Sequence, residues 1–504
     1  MPFIMSRIFI FFIKLNKLKF YFLFSFLSII VSNDVFARKF YLSSSTGNDS
    51  YTLAQAQNPA TPWKTLIKLE SIGNTANAIL PGDTFAFKRG DVFDNGRDNF
   101  GSFKWWAIAG YHCPSGTADH PIVFTNYGTG ELPNFLFPRG ANGGDPATKG
   151  NARHVLTFNG VGYIVFDGLQ FNDTRFSYTD KVSTAYTSAG LLLGEYGGGE
   201  CNHMVVKNCN FSRIGYAILS AGSYFDIGYN TCTNMKSVGD TSGMTDIGAD
   251  FMVPYGPHYR IHHNYIKGNW FYTSGTGGGK GGGTFEVCDN FDSSSIMYNT
   301  IIDCDGVIEV GSIFDHTVGS NEDTVAYNIM INNGGVSYIH QADAFGGFNS
   351  NWHFWNNIMI ENENSRFSGN GFGRDIYGDG QSFAQFPTWG GNYGYAAVTG
   401  MPRNTSANSP ANCCNYTGLR TFQYTSDNGV PGGVLYDIRN NIVWNTTHTQ
   451  ILYDTLSWKS IKHKNNIFRL GGSYMGGSTL GGELGAGDRL ITNQPFDFFF
   501  HSLK

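Results

Sequence analysis

One phrase returns seven times from residue 227 onward: Ile227-Gly-Tyr-Asn230-Thr-Cys, Ile261-His-His-Asn264-Tyr-Ile, Ile296-Met-Tyr-Asn299-Thr-Ile, Val325-Ala-Tyr-Asn328-Ile-Met, Phe354-Trp-Asn-Asn357-Ile-Met, Ile438-Arg-Asn-Asn441-Ile-Val and His463-Lys-Asn-Asn466-Ile-Phe. The last copy has His at the first apolar position. Looser copies precede these at Val206–Phe211, with Cys209 at the Asn position, and Phe166–Phe171, with Leu169 there. Successive Asn are 34, 35, 29, 29, 84 and 25 residues apart, and Cys209 lies 21 before Asn230. Apolar, variable, aromatic or polar, Asn, variable, apolar reads as a strand, a bend and a second strand. Asn tolerates the left-handed conformation of a bend, and its amide carries both donor and acceptor. Asn side chains stacked at equivalent bends can therefore hydrogen-bond into a ladder. A step of 21–25 residues, lengthened by loops, is the coil of an all-β parallel solenoid. A propeller blade needs about 40–45 residues, so the short steps exclude it.

Around this repeat, the 504 residues include 65 Gly and only 14% charged side chains, with 41% hydrophobic and 15% aromatic. Such a chain has the apolar surface to fold, and Gly without a three-residue period is not collagen. A net charge of −5 carries no basic excess for nucleic acid. Residues 1–37 read as a signal peptide: Lys14, Lys17 and Lys19, then the apolar run Phe20–Val31, then Val35-Phe36-Ala37. The run falls short of the roughly 20 residues of a membrane span; an uncleaved anchor, lengthened by Ile8–Ile13, is the alternative and the only membrane contact expected. The mature protein is expected outside the cytoplasm: secreted, periplasmic or at the cell surface. All eight Cys fall after residue 37, and an exported chain permits disulfides.

With the repeat, the stretches Lys39-Phe-Tyr-Leu-Ser, Pro62-Trp-Lys-Thr-Leu and Leu80-Pro-Gly-Asp-Thr-Phe-Ala-Phe-Lys-Arg-Gly90 make the chain resemble the right-handed parallel β-helix proteins of the pectate-lyase-like superfamily. The resemblance implies an N-terminal cap over residues 38–150, a strand and a helix preceding the first coils, then a β-helix over 151–504. It also implies a carbohydrate-acting protein, usually on acidic polysaccharide, although fold alone does not fix chemistry. A loop-rich insertion at about 365–433 fills the 84-residue step. The Asn-Thr-Asp, Gly-His-Gly and Arg-Ile-Lys set of polygalacturonases is missing, as is the Arg-x-Pro-x-x-Arg pattern of classical pectate lyases. No residue role is carried over by motif.

Candidate site residues come from register. Before most Asn phrases lies another strand: Ala249-Asp-Phe-Met-Val253, Gly283-Thr-Phe-Glu-Val287, Gly306-Val-Ile-Glu-Val310 and Gly335-Val-Ser-Tyr-Ile339. Alternation turns Phe251/Val253, Phe285/Val287 and Ile308/Val310 inward and aligns Met252, Glu286, Glu309 and Tyr338 in one outward column, with Asp250, Thr284, Val307 and Val336 in a second. Glu286 and Glu309, 23 residues apart, then become neighbours, and like charges opposite one another destabilise a sheet. A cation, a shared proton or a basic side chain should offset that. Lys280, in Thr276-Gly-Gly-Gly-Lys280-Gly-Gly-Gly283, can lie over the column on flexible Gly. That loop is no nucleotide site, because Gly281 follows the Lys where a P-loop requires Ser or Thr. Asp303 and Asp305 can add oxygen ligands for Ca²⁺ to Glu286 and Glu309. His340 follows Tyr338 in the same strand. Asp250, Tyr338, Trp270 and Trp352 are the expected substrate contacts, with polysaccharide the expected partner. His263, with Tyr229, Tyr298 and Tyr327, is expected to stack in the core, and His262 to point the opposite way.

Two reactions fit. A lyase neutralises a uronate carboxylate and removes the neighbouring C5 proton with Lys280 as base or neutraliser, His340 being a further acid–base candidate; preorganised positive charge stabilises that transition state. A hydrolase uses Glu286 and Glu309 as its carboxylate pair. A non-catalytic adhesin or glycan-binding protein is the third reading.

Overall fold

The computed structural model describes residues 37–491, apart from 95–102, 109, 137–153, 173–188, 240–249, 274–283, 289, 305–306, 311–318, 334–336, 342–350, 362–415, 424–435, 446–449, 454–460 and 470–485. The proposed signal peptide, Lys280 and Asp305 lie outside the described residues.

The repeated phrase folds as strand, bend, strand. One coil runs through Tyr216–Ser223, Asp226–Gly228 and Thr231–Thr233. The next runs through Met252–Tyr255, Arg260–His262 and Tyr265–Lys267. Each strand pairs in parallel with its counterpart one coil on, Leu219 with Val253, Ile227 with Ile261, Cys232 with Ile266. Among the described residues three such ladders form: a first sheet that holds Glu286, a second before the Asn bend, and a third of 12 strands after it. The first two join through Cys201↔Gly222. This is a parallel β-helix, as the repeat and the resemblance both imply.

Its interior is written by the inward position of each phrase. Val206, Ile227, Ile261, Ile296, Val325, Phe354 and Ile438 are all at most 2% exposed and stack rung on rung. Nearer the N-terminus Phe takes the same places, with Phe124 stacked on Phe166 at 5.5 Å, and on the third sheet Phe171 stacks on Phe211 at 5.1 Å. Burying a large apolar side chain is worth roughly 1.5–3 kcal/mol, and a solenoid repeats that gain at every rung.

The Asn ladder forms, with one correction to the expected backbone. The left-handed residue is the one before each ladder Asn: Tyr229, His263, Tyr298, Tyr327, Asn356, Asn440 and Asn465 all have φ between 54° and 60°. Each ladder Asn turns inward and is at most 2% exposed. Its Oδ1 accepts from the backbone N–H and the Nδ2 of the Asn one rung earlier, as Asn264 does from Asn230 at 3.0 Å each. Its own Nδ2 also donates to a main-chain carbonyl, Ile227 for Asn264. Cys209 begins the ladder by donating its N–H to Asn230 Oδ1 at 2.9 Å. Asp488 ends it, accepting from Asn466 N and Nδ2 at 2.7 and 3.0 Å.

At the N-terminal end, Lys39–Leu42 pairs with Thr84–Lys88, so the opening strand is itself part of the second sheet. Helix α1, Leu66–Gly73, is capped by Thr65, whose hydroxyl accepts from Lys68 N–H. Gly73 is required there because a Cβ would fall 2.4 Å from the Trp105 ring. Within the 365–433 segment, Tyr416–Gln423 is a strand of the first sheet, paired with Ser337–Gln341; the segment therefore carries a rung. The six described cysteines, 113, 201, 209, 232, 288 and 304, are buried free thiols. Burial pushes Cys113, Cys201 and Cys209 up to about 12.

Candidate active site on the first sheet

Glu286 and Glu309 are register partners on neighbouring strands, Phe285–Val287 and Ile308–Val310. Parallel strands lie about 4.8 Å apart. Glu286 is half-buried between fully buried Phe285 and Val287, so it stands on the outer face. The column continues with Tyr338 opposite Glu309, then Arg420 opposite Tyr338. His340 lies on the Tyr338 strand, in register with Phe422. Two glutamates, a tyrosine and an arginine thus hold four successive register positions.

On the other side of Glu286 the expected column is out of phase by one residue. Met252, not Val253, pairs with Phe285. Met252 therefore joins the core, fully buried, and Val253 takes the place beside Glu286. Phe251, Met252 and Val253 are all apolar and all buried, so alternation had no polar residue with which to fix the phase. The second expected outward column fails for the same strands: Asp250 and Thr284 are 0% exposed and Val307 is 1%. They sit where the chain enters the sheet, with Thr284 O accepting from Phe251 and Met252 N–H. Asp250 cannot meet substrate from that position.

Trp352 is likewise a core residue, 0% exposed, with Nε1 donating to Ser320 O at 3.2 Å. It lies two positions before inward Phe354 and shares its face. Trp270 belongs to a separate two-stranded pairing with Lys236–Gly239 and not to the first sheet. Asp303 is a left-handed bend residue after Thr300–Ile302 of the third sheet, its N–H donating to Ile331 O. Among the described residues no group of three or more His, Cys, Asp or Glu is placed to hold a metal ion.

Tyr255 was not anticipated. Its backbone pairs with Cys288, two residues beyond Glu286. Burial pushes its phenol well above the usual range, with Cys288 and Glu286 adding to that effect. It stays a proton donor beside the acidic position. Arg420 was also missed, because its strand lies within the expected insertion and carries no copy of the phrase.

The second sheet bears another polar cluster on its outer face. His353 lies 3.7 Å from both Glu322 and Asp437, and Arg439 Nε donates to Asp437 Oδ1 at 2.6 Å while facing the Trp355 ring. The aromatic column also proves to be external: Tyr229, Tyr298 and Tyr327 are 57, 47 and 49% exposed. They stack with His263 at 4.9–5.0 Å centroid spacing along the axis.

Fold and site together define a parallel β-helix protein with an acidic column on one face. No family model and no curated protein matches the chain. Among solved structures it is similar to a lacto-N-biosidase from Eubacterium ramulus (12% identity, TM-score 0.33, 65% of this chain and 64% of that one). It is also similar to an alginate lyase from a Paenibacillus species (11%, 0.39, 78% and 97%). A third is the A-module of a mannuronan C-5 epimerase from Azotobacter vinelandii (8%, 0.41, 85% and 95%). The chain spans just under two thirds of the lacto-N-biosidase's length. At these identities no residue role is taken from any of them.

Proposed function

We propose that this chain is an exported polysaccharide-degrading enzyme, a lyase that cleaves a uronate-containing glycan by β-elimination on the outer face of the first sheet. The observation that carries this reading is the register of Glu286, Glu309, Tyr338 and Arg420. It supplies the two things elimination needs, a positive group to neutralise the uronate carboxylate and acid–base groups beside it. Arg420 takes the neutralising role, since a guanidinium grips a carboxylate through two parallel hydrogen bonds. A base, Lys280 or His340, removes the C5 proton. The electron pair left behind forms the C4–C5 double bond, the C4–O bond breaks, and the departing oxygen takes a proton from a donor such as Tyr255 or Tyr338. Charge accumulating on the carboxylate in that transition state is what fixed positive charge stabilises most. Ca²⁺ held by Glu286 and Glu309 is the alternative counter-charge.

The pairing of Glu286 with Glu309 also favours a second reading, a glycoside hydrolase using them as acid and as nucleophile or base. One experiment separates the cases: incubation with pectate, alginate and glycosaminoglycans, with and without chelator, following ultraviolet absorbance of unsaturated products and total reducing ends. Absorbing products identify the lyase, and their loss with chelator assigns the counter-charge to a metal. Reducing ends without absorbance identify the hydrolase. Binding without either identifies a non-catalytic glycan-binding protein.

A further inference from the structure

A glycan laid along Glu286, Glu309, Tyr338 and Arg420 continues past Glu286 toward the N-terminal rungs, where the outer face has another chemistry. The register positions leading up to Glu286 are Leu192, Leu219 and Val253, the last beside it because Met252 pairs with Phe285. Two residues further along the same strands stand Gly194, Ala221 and Tyr255, with Tyr255 opposite Cys288. Of these six side-chain positions only the Tyr255 phenol is polar. Tyr255 packs with Tyr216, Val253 and Cys288 in an apolar cluster separate from the main core.

A second ring joins it. Tyr196 and Tyr255 lie 6.3 Å apart between centroids, inclined at 46°. Tyr196 belongs to the loop after Ala189–Leu193, two strands before Met252–Tyr255. The intervening strand carries only Ala221 opposite Tyr255, which leaves room for the two rings to meet. The loop is braced. Glu195 and Gly199 exchange backbone hydrogen bonds at 3.2 and 3.1 Å, Gly199 O accepts from Gly160 N–H at 3.0 Å, and the Glu200 carboxylate accepts from Gly197 N–H at 2.8 Å. Gly197 and Gly198 supply the positive φ of the turn. Tyr196 is thus held in place while 50% exposed, and a side chain fixed before binding loses little freedom on meeting a ligand.

We propose that Tyr196 and Tyr255 form a sugar-binding subsite on the N-terminal side of Glu286, and that this subsite takes an uncharged sugar. The proposal rests on the lyase reading for the path of the glycan. An aromatic ring packs against the C–H face of a sugar while its phenol bonds to hydroxyls. Charge decides which sugar. Glu195 and Glu200, on either side of Tyr196 in the loop, are both exposed, and none of the six positions leading to Glu286 is Lys or Arg. Lys104, two strands before Leu192 in the same register, is held over the Trp106 and Tyr111 rings at 4.5 and 5.4 Å. A uronate bound at Tyr196 would meet carboxylates without a counter-charge, and like charges brought together select against that partner. The substrate implied is a glycan in which uncharged sugars accompany uronate, the uronate lying toward Arg420.

The test is calorimetric binding to the full chain of fragments of equal length. Two alternate uronate with an uncharged sugar, rhamnogalacturonan backbone and unsulfated chondroitin; two are uronate throughout, pectate and alginate. At least one alternating fragment should bind about 10-fold or more tightly than either uronate homopolymer. Tyr196→Ala should weaken that binding roughly 10-fold, the worth of one aromatic contact, at unchanged thermal stability, and Tyr196→Phe should keep most of it. Glu195→Lys should raise affinity for the uronate homopolymers and leave the alternating fragment unchanged. No binding of either alternating fragment, equal affinity for both kinds, or an unchanged Kd in Tyr196→Ala overturns the subsite. Unsaturated product formed alongside such a result leaves the lyase reading standing. Tyr196-dependent binding of the alternating fragment with no unsaturated product removes the lyase reading and supports the subsite.

Discussion

Asp323 shows how a single side chain can set the pH response of this fold. It is buried at the corner before the second sheet, where Oδ1 accepts from Ser294 N–H at 2.9 Å and Oδ2 has no hydrogen-bond partner. Burial pushes its carboxyl up to about 9 from 3.8, against the Ser294 hydrogen bond and aided by Asp292 and Glu322. Between these values the native state keeps a proton that the unfolded chain has lost. Stability contributed by this group is complete below pH 4 and is lost as pH rises toward 9, at up to about 1.4 kcal/mol per pH unit. Asp323→Asn should flatten that slope in urea unfolding followed from pH 5 to 8 and leave the variant more stable than wild type at pH 8; an unchanged slope refutes the assignment. Trp352 belongs to the same scale. As a core residue its replacement by Ala should cost roughly 3–5 kcal/mol without selectively raising KM. The sequence already held the sign of this, because Trp352 is two residues from the inward Phe354.

At the scale of the element, the ladder Asn was legible because its chemistry repeats at one position, and every copy found by spacing takes its place in the ladder. Less legible was which neighbour bends the chain. The side chain that forms the ladder must point inward, so the residue before it adopts positive φ and its ring goes out to solvent; that put the Tyr229–His263–Tyr298–Tyr327 stack outside rather than in the core. The phase error at Met252 has another cause: three consecutive apolar residues carry no period-two signal. Asn328 makes and receives the full set of ladder bonds, to Asn299, Asn357 and the Ile296 carbonyl. Asn328→Ala should destabilise by roughly 3 kcal/mol by leaving buried partners unsatisfied. Asn466→Ala, one rung from the end where Asp488 closes the ladder, should cost less because fewer rungs depend on it. Equal costs from chemical denaturation would mean the ladder bonds are energetically independent of position.

Across the whole molecule, stacking is what brings chemistry together. Glu286 and Glu309 are made neighbours by a coil of 23 residues, and that much follows from counting. Arg420 joins them only because the chain returns to the first sheet within the segment expected as an insertion, a return marked by no repeated phrase and so invisible to spacing. If Arg420 neutralises a uronate, Arg420→Ala should lower kcat/KM at least 100-fold, and Arg420→Lys should recover only part of it, because Lys offers a point charge rather than a planar fork. The most direct measurement is the initial rate of unsaturated-product formation from acidic polysaccharides by the wild type, Glu286→Gln and Glu309→Gln. Double-bond absorbance with at least one substrate, falling 100-fold or more in each variant while thermal stability holds, is the expected result. Wild-type rates in both variants, or no unsaturated product from any substrate, would contradict a reaction centred on this pair.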